Sequence, residues 1–262
     1  SDEFGTNVGN TGYVSLNLST GSATPASRVP EPGVDNLNEN LIQTADVFVF
    51  NHSTNARVHY QRLESLQMQQ GTGEIILSLS KSTVSTGTYD IYVIANYTGE
   101  SLADVQSVDE LKTKSTTTEF KFITGAIEGS FLMDGKLEDV SLAGGTSHKV
   151  NLYRAAVKIE VNISFGSTTT ENGETYTYTP LSGISSTKRM INYATNTKLL
   201  AEGNDIMDRK LMNMNTYVAF ENNQALFYTY ANSWSFDPES SQVDLNDETY
   251  ILLNIPVLET IT

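Results

Sequence analysis

Imidazoles, carboxylates and a single indole are the groups through which this chain could do chemistry, and their spacing argues against most of it. His52, His59 and His148 are the only histidines. None has a second histidine or a carboxylate at metal-ligand spacing, so they read as solvent-facing or strand-face residues. With no cysteine in the chain, disulfides, thiolate metal sites and thiol nucleophiles are removed together. The nucleophile elbow, the glycine-rich nucleotide loops and the HExxH pattern are all missing, and Gly71-Thr72-Gly73 reads as a turn with no helix after it. The run Asp237 to Glu248 is acidic enough to suggest calcium, yet it lacks the glycine an EF-hand loop needs at its sixth position and reads as a solvated loop. A glycosidase carboxylate pair has no support beyond the abundance of acids. Trp234, with Tyr228 and Tyr230 nearby, could form a sugar-stacking platform, although aromatics at strand spacing more often fill a core. Asn17, Asn51, Asn96 and Asn162 each open an N-x-Ser/Thr sequon, a pattern that chance supplies in a Ser/Thr-rich chain. The expectation is a protein with no catalytic residues, no metal and no cofactor.

Charge narrows the partners. There are 31 acidic against 16 basic residues, a formal net charge of −15, and no Lys/Arg cluster to reverse that field locally, so nucleic acid is not an expected partner. No apolar run approaches the roughly 18 residues of a membrane helix. At 262 residues the chain can form two ordinary domains or one large sandwich. No signal peptide stands at Ser1, which fits a cytosolic or a mature chain.

The elements that would carry any function are strands. Val150 to Phe165 is the organising stretch: Val157, Ile159, Val161, Ile163 and Phe165 alternate with polar residues, while Val150 and Leu152 sit on the opposite parity. The phase therefore slips within Tyr153–Ala156, where a bulge re-aims the strand or the chain leaves one sheet for another, and we take this as the junction of two β-domains. Arg154 at that junction needs a carboxylate or carbonyl partner if it is covered. Upstream, Gly12–Ser19 alternates with Val14, Leu16 and Leu18 on one face, and the Pro/Gly-rich connector 20–34 follows, holding Arg28, the only Lys or Arg before Arg57. Val47–Phe50 is apolar on both faces, which predicts a central strand covered on both sides. Further strands are expected at Arg57–Leu66, Glu74–Leu79, Tyr89–Tyr97, Glu119–Thr124, Leu137–Leu142, Thr175–Thr179, Tyr217–Phe220, Leu226–Tyr230 and Tyr250–Val257. A helical turn fits Asn36–Asn40, a helix fits Ser101–Lys112 with a capping box from Ser101 to Asp104, and Leu181–Gly203 fits loop or short helix equally.

Taken together, GYVSLNLS (12–19), the connector with Arg28, NLNENLI (36–42), DVFVF (46–50), YVIAN (92–96), FLMDG (131–135), VNLYRAAVKIEV (150–161) and LFYTYAN (226–232) resemble the Bacteroidia-type (type V) fimbrillins, the FimA/Mfa-like fimbrial subunits. The resemblance implies an all-β fold of two transthyretin-like β-sandwich domains with one or two short helices. The first would be 1–148, with strand 12–19 and connector 20–34 included, and the second 149–262. It also implies a subunit of a cell-surface fimbria serving adhesion, exported to the outer membrane as a lipidated precursor whose anchor is later removed. An arginine-specific surface protease would cut the connector, here at Arg28-Val29. Val14, Leu16 and Leu18 would depart as groove-fillers, and a strand from the next subunit would replace them beside Val47–Phe50. Partners would be further copies of the chain, related fimbrial subunits, the protease, and host or bacterial surface ligands. The alternative is a surface glycan-binding lipoprotein or a tip adhesin without a polymerising role. The resemblance leads one to expect further C-terminal strands, including a donor appendage. Three explanations stay open: a shorter second sandwich, a donor role for Tyr250–Val257 itself, or an incomplete sequence.

Overall fold

Alternation of apolar and polar residues turns into strands along most of the chain. The computed structural model describes residues 11–20, 39–68, 71–117, 131–143, 146–166, 168–202, 208–220, 223–232 and 248–262. The helical turn expected at 36–40 falls mostly, and the strand at 119–124 wholly, outside them. In the first part of the chain β1 (Thr11–Thr20), β2 (Ala45–Asn51), β3 (Arg57–Leu63), β4 (Thr72–Ser80), α1 (Lys81–Ser85), β5 (Tyr89–Ala95), α2 (Val108–Thr113), β6 (Ser115–Thr117), β7 (Met133–Val140) and β8 (Ser147–Arg154) follow in order. Then come β9 (Ala156–Asn162), β10 (Thr168–Glu171), β11 (Glu174–Pro180), β12 (Thr187–Ile191), β13 (Tyr193–Ala194), β14 (Asn196–Lys198), β15 (Leu211–Met212), β16 (Val218–Ala219), β17 (Gln224–Tyr230), β18 (Tyr250–Asn254) and β19 (Val257–Ile261). The protein is all-β with short helices. Its described residues fall into two compact units, one drawn from Ser1–Lys121, Gly125–Ala156 and Asn196–Asp205, the other from Val157–Thr195 and Ile206–Thr262.

In the first unit the strands form a seven-stranded sheet in the order β3-β2-β5-β7-β8-β1-β4. β7 and β8 share only two residue pairs, Met133↔Arg154 and Asp134↔Tyr153, and the sheet bends back on itself there. Gly135 sits at that parting, where a Cβ would lie 2.1 Å from the Asn151 carbonyl oxygen. The bend brings Val14, Leu16, Leu18, Ile75, Leu77, Val150 and Leu152 from one limb against Val47, Val49, Ile91 and Val93 from the other. On the opposite face of β2 and β5, Phe48, Phe50, Tyr92 and Ile94 are covered by Leu102, Val105, Leu111, Leu199 and Leu200. β2 is buried on both faces, as its unbroken apolar run predicts. β2 pairs with β3 and β5, so its place in the sheet is not beside β1; the two meet only across the core.

The helix differs from expectation. α2 begins at Val108, with Ser107 as N-cap accepting from Glu110 N–H at 3.1 Å and the Glu110 carboxylate taking the Gln106 N–H at 2.9 Å. Glutamate reaches back where the shorter Asp104 cannot, so the box closes at 107–110 rather than 101–104. Residues 101–107 stay irregular but plant Leu102 and Val105 in the core. In 181–203, read as loop or short helix, the chain instead forms β12, β13 and β14.

β8 ends at Arg154 in the seven-stranded sheet, and β9 enters a four-stranded sheet of order β15-β13-β17-β9. The phase slip thus marks a change of sheet. Arg154 donates to the side-chain oxygen of Asn40 at 2.8 Å, a carbonyl partner as its position demands. In the second unit a smaller core gathers Met190, Tyr193, Met214, Ala225 and Phe227, with Ile159 and Val161 of β9 against it. The strand expected at Tyr250–Val257 is two: Pro256 interrupts it, β18 pairs with β12, and β19 pairs with β11.

Candidate functional site

β1 is the element through which this molecule could act, because it is an inserted interior strand. It runs antiparallel to β4 from Thr11↔Ser80 to Ser19↔Thr72 and parallel to β8 from Ser15↔Ser147 to Thr20↔Leu152. The strands on either side of it pair with it and not with each other. Alternation places Val14, Leu16 and Leu18 inward at 0%, 0% and 2% exposure and turns Tyr13, Ser15, Asn17 and Ser19 outward. Asn17 donates to the Ser147 hydroxyl at 2.6 Å. Each inward side chain gains about 1.5 to 3 kcal/mol from burial. The end of the slot is built from Gly71, which holds φ at +69° and gives its carbonyl to Thr20 N–H at 2.8 Å. A Cβ there would come within 1.8 Å of the Thr20 hydroxyl, so glycine is required for that close approach.

The other candidate residues lie apart from this strand. The bond Arg28-Val29, Trp234 and all of the acidic run except Glu248 fall outside the described residues. Tyr228 and Tyr230 are buried at 6% and 1%, so neither offers an open ring face for a sugar platform. Among the described residues no group of three His, Asp or Glu side chains could hold a metal. His59 contacts Gln61, and His148 contacts Thr146. Asn96 is a buried strut rather than a glycan acceptor, while Asn51 caps its own turn through Ser53 and Thr54 N–H. Asn17 and Asn162 lie on exposed strand faces, where Asn162 accepts from Gln224.

His52 has partners that sequence spacing could not reveal. Its Nδ1 lies 2.8 Å from the Asp90 carboxylate and its Nε2 3.8 Å from Asp139, while the same Asp90 oxygen accepts the Asp139 N–H at 2.8 Å. Donation of its Nδ1–H to the Asp90 carboxylate raises the imidazole above its ordinary range. Because the folded-state value is raised, the stabilisation from this contact is fully present below the unfolded imidazole value and fades as pH rises through the folded one. An NMR titration is expected to find His52 above the ordinary imidazole value in the native chain. Asp90→Asn is expected to lower it; a midpoint unmoved by that change would refute the pairing.

Buried Asp46 takes the Tyr60 hydroxyl and an Arg62 N–H, both at 2.6 Å. Burial pushes its carboxyl upward while those two donors pull it down. In the second unit Lys188, 6% exposed, places its ammonium 5.2 Å from the Phe227 ring centroid and 5.8 Å from that of Phe220. Neither arrangement is a site; both are buried polar groups satisfied in place.

A family model for the major fimbrial subunit protein (FimA) matches residues 13–200, from the third residue of β1 to two residues past β14. The chain belongs to the FimA fimbrial subunit family. Membership makes this FimA-family chain a fimbrial subunit of the cell surface. Among solved structures it is similar to the tip fimbrial protein Mfa3 from Porphyromonas gingivalis, with a TM-score of 0.61 and 14% identity over 96% of this chain and 81% of that one. A fimbrial assembly protein from Parabacteroides distasonis matches with a TM-score of 0.55 and 18% identity, covering 96% and 85%. At these identities the likeness is one of fold. A search of curated proteins finds no match.

Proposed function

We propose that the chain is a structural subunit of a bacterial cell-surface fimbria, joined to its neighbours by donor-strand exchange and serving adhesion. In this reading an arginine-specific surface protease cuts Arg28-Val29, β1 departs with Val14, Leu16 and Leu18, and a strand of the next subunit fills the slot between β4 and β8. The outer-membrane lipid anchor of a precursor and the two transthyretin-like domains, 1–148 and 149–262, belong to the same proposal. The observation that supports it best is the position of β1, an interior strand that contributes three fully buried aliphatic side chains from a segment ending just before the connector with Arg28. Loss of such a strand bares core surface and two rows of unpaired backbone groups at once, a state that demands a partner strand.

Limited trypsin digestion is expected to cut first at Arg28, and the nicked chain is expected to form oligomers under mild destabilisation that frees β1. A synthetic peptide of residues 12–19 should inhibit that assembly, and Arg28→Gln should prevent it. Primary cutting elsewhere, or a nicked chain that sheds β1 and stays monomeric, would overturn the reading. Burial of Tyr228 and Tyr230 weighs against the glycan-platform alternative.

A further inference from the structure

We propose that the free side of β4 pairs with the same strand of a second copy of this chain, in an antiparallel register centred on Ile76. The inference rests on the strand edge alone and does not depend on cleavage or on exchange of β1.

β4 ends the seven-stranded sheet, with β1 on one side and no paired strand on the other among the described residues. Which backbone groups face that side follows from the ladder. Thr20 N–H donates to Gly71 O, while Ser15 N–H donates to Thr146 ahead of β8. Even-numbered residues of β1 therefore address β4 and odd-numbered ones address β8. Antiparallel alternation then turns Gly73, Ile75, Leu77 and Leu79 toward β1 and leaves the N–H and C=O groups of Thr72, Glu74, Ile76 and Ser78 on the free side. The side chains of these four are exposed, and Ile76 is 53% exposed.

Edges of this kind are normally guarded by charge, proline or a bulge. The opposite edge is guarded: β3 carries Arg57, His59 and Arg62, and its pairing with β2 shifts register between Val49 and Phe50. β4 has nine residues, no proline, no Lys or Arg, an unbroken register and a single charge, Glu74.

The sequence of β4 also complements itself. With Ile76 on the two-fold axis all nine residues overlap, Ile76 meets Ile76 of the second copy, Glu74 meets Ser78, and Thr72 meets Ser80. The residues set opposite each other are those whose backbone groups are free. A shift that set Glu74 against Glu74 would shorten the overlap and oppose like charges. The register centred on Ile76 is thus both the longest and free of repulsion. Two-fold pairing at an edge outside the β1 slot would link fimbriae side by side, a contact separate from any that runs along them.

Sedimentation equilibrium on the intact, uncleaved chain tests this. Wild type is expected to show a monomer–dimer equilibrium at high micromolar concentration. Ile76→Lys, which sets two ammonium groups face to face on an exposed position, is expected to weaken it about tenfold or more. Ser78→Lys, which sets each ammonium opposite Glu74 of the other copy, is expected to strengthen it severalfold. A wild type that stays monomeric throughout, an Ile76→Lys variant that associates as well as wild type, or a Ser78→Lys variant that associates no better than wild type overturns the proposal.

Discussion

Leu16→Ala will lower the unfolding free energy of the N-terminal unit by about 3 kcal/mol, within the range for buried leucines. Leu16 has no exposed surface and sits mid-strand, opposite Ile75 on β4 and His148 on β8. Its side chain enters the core where both limbs of the bent sheet converge, and neither neighbouring strand can close over the cavity without breaking its ladder to β1. Tyr13→Ala, on the same strand but 63% exposed, should change stability by no more than about 0.5 kcal/mol. Urea unfolding of the two variants makes the comparison internal. Equal and small effects would mean that β1 is not integral to the core and would remove the basis for any exchange mechanism.

Asn96→Ala will cost about as much, roughly 2 to 4 kcal/mol, for a different reason. Asn96 holds φ at +62°, a conformation that asparagine tolerates and alanine resists. Its side-chain oxygen accepts the Gln43 N–H at 2.8 Å and the Thr44 N–H at 3.4 Å, while its amide donates to the carbonyls of Leu41 and Phe131, each at 2.8 Å. Alanine strands these buried groups without partners. Asn96→Asp keeps the acceptor but loses both donations, so it should be nearly as damaging at neutral pH. Thermal unfolding of the two variants beside wild type decides the matter, and a loss of less than about 1 kcal/mol in both would show that water replaces these bonds.

Much of this architecture is written in local periodicity. Alternation in Gly12–Ser19 and Val157–Asn162, and the two-sided apolar run at Val47–Phe50, specify strands, because side-chain direction follows strand parity, whereas the alternation that runs on to Phe165 outlasts β9, which ends at Asn162. The change of sheet at Tyr153–Ala156 is legible for the same reason. Pairing partners are not: the contacts of β1 with β4 and β8 join segments distant in sequence, and no local pattern encodes that register. Strands of two or three residues such as β13 and β14 are too short to show a period, and the Asn and Thr of β14 mimic a loop. His52 finds Asp90 and Asp139 only through folding, and nothing in the neighbours of Asn96, which opens a sequon, announces its left-handed backbone or its burial. For the candidate site, the three inward residues of β1 could be named from the sequence, whereas the walls of their slot could not.

The glycine at the end of that slot carries a last implication. Thr20 lies so close over Gly71 that position 71 has no room for a side chain. Any larger residue there would have to push Thr20 aside and with it the hydrogen bond that Thr20 N–H gives to the carbonyl of residue 71. The last rung of the β1 ladder thus hangs on the bareness of a single backbone unit in the turn before β4.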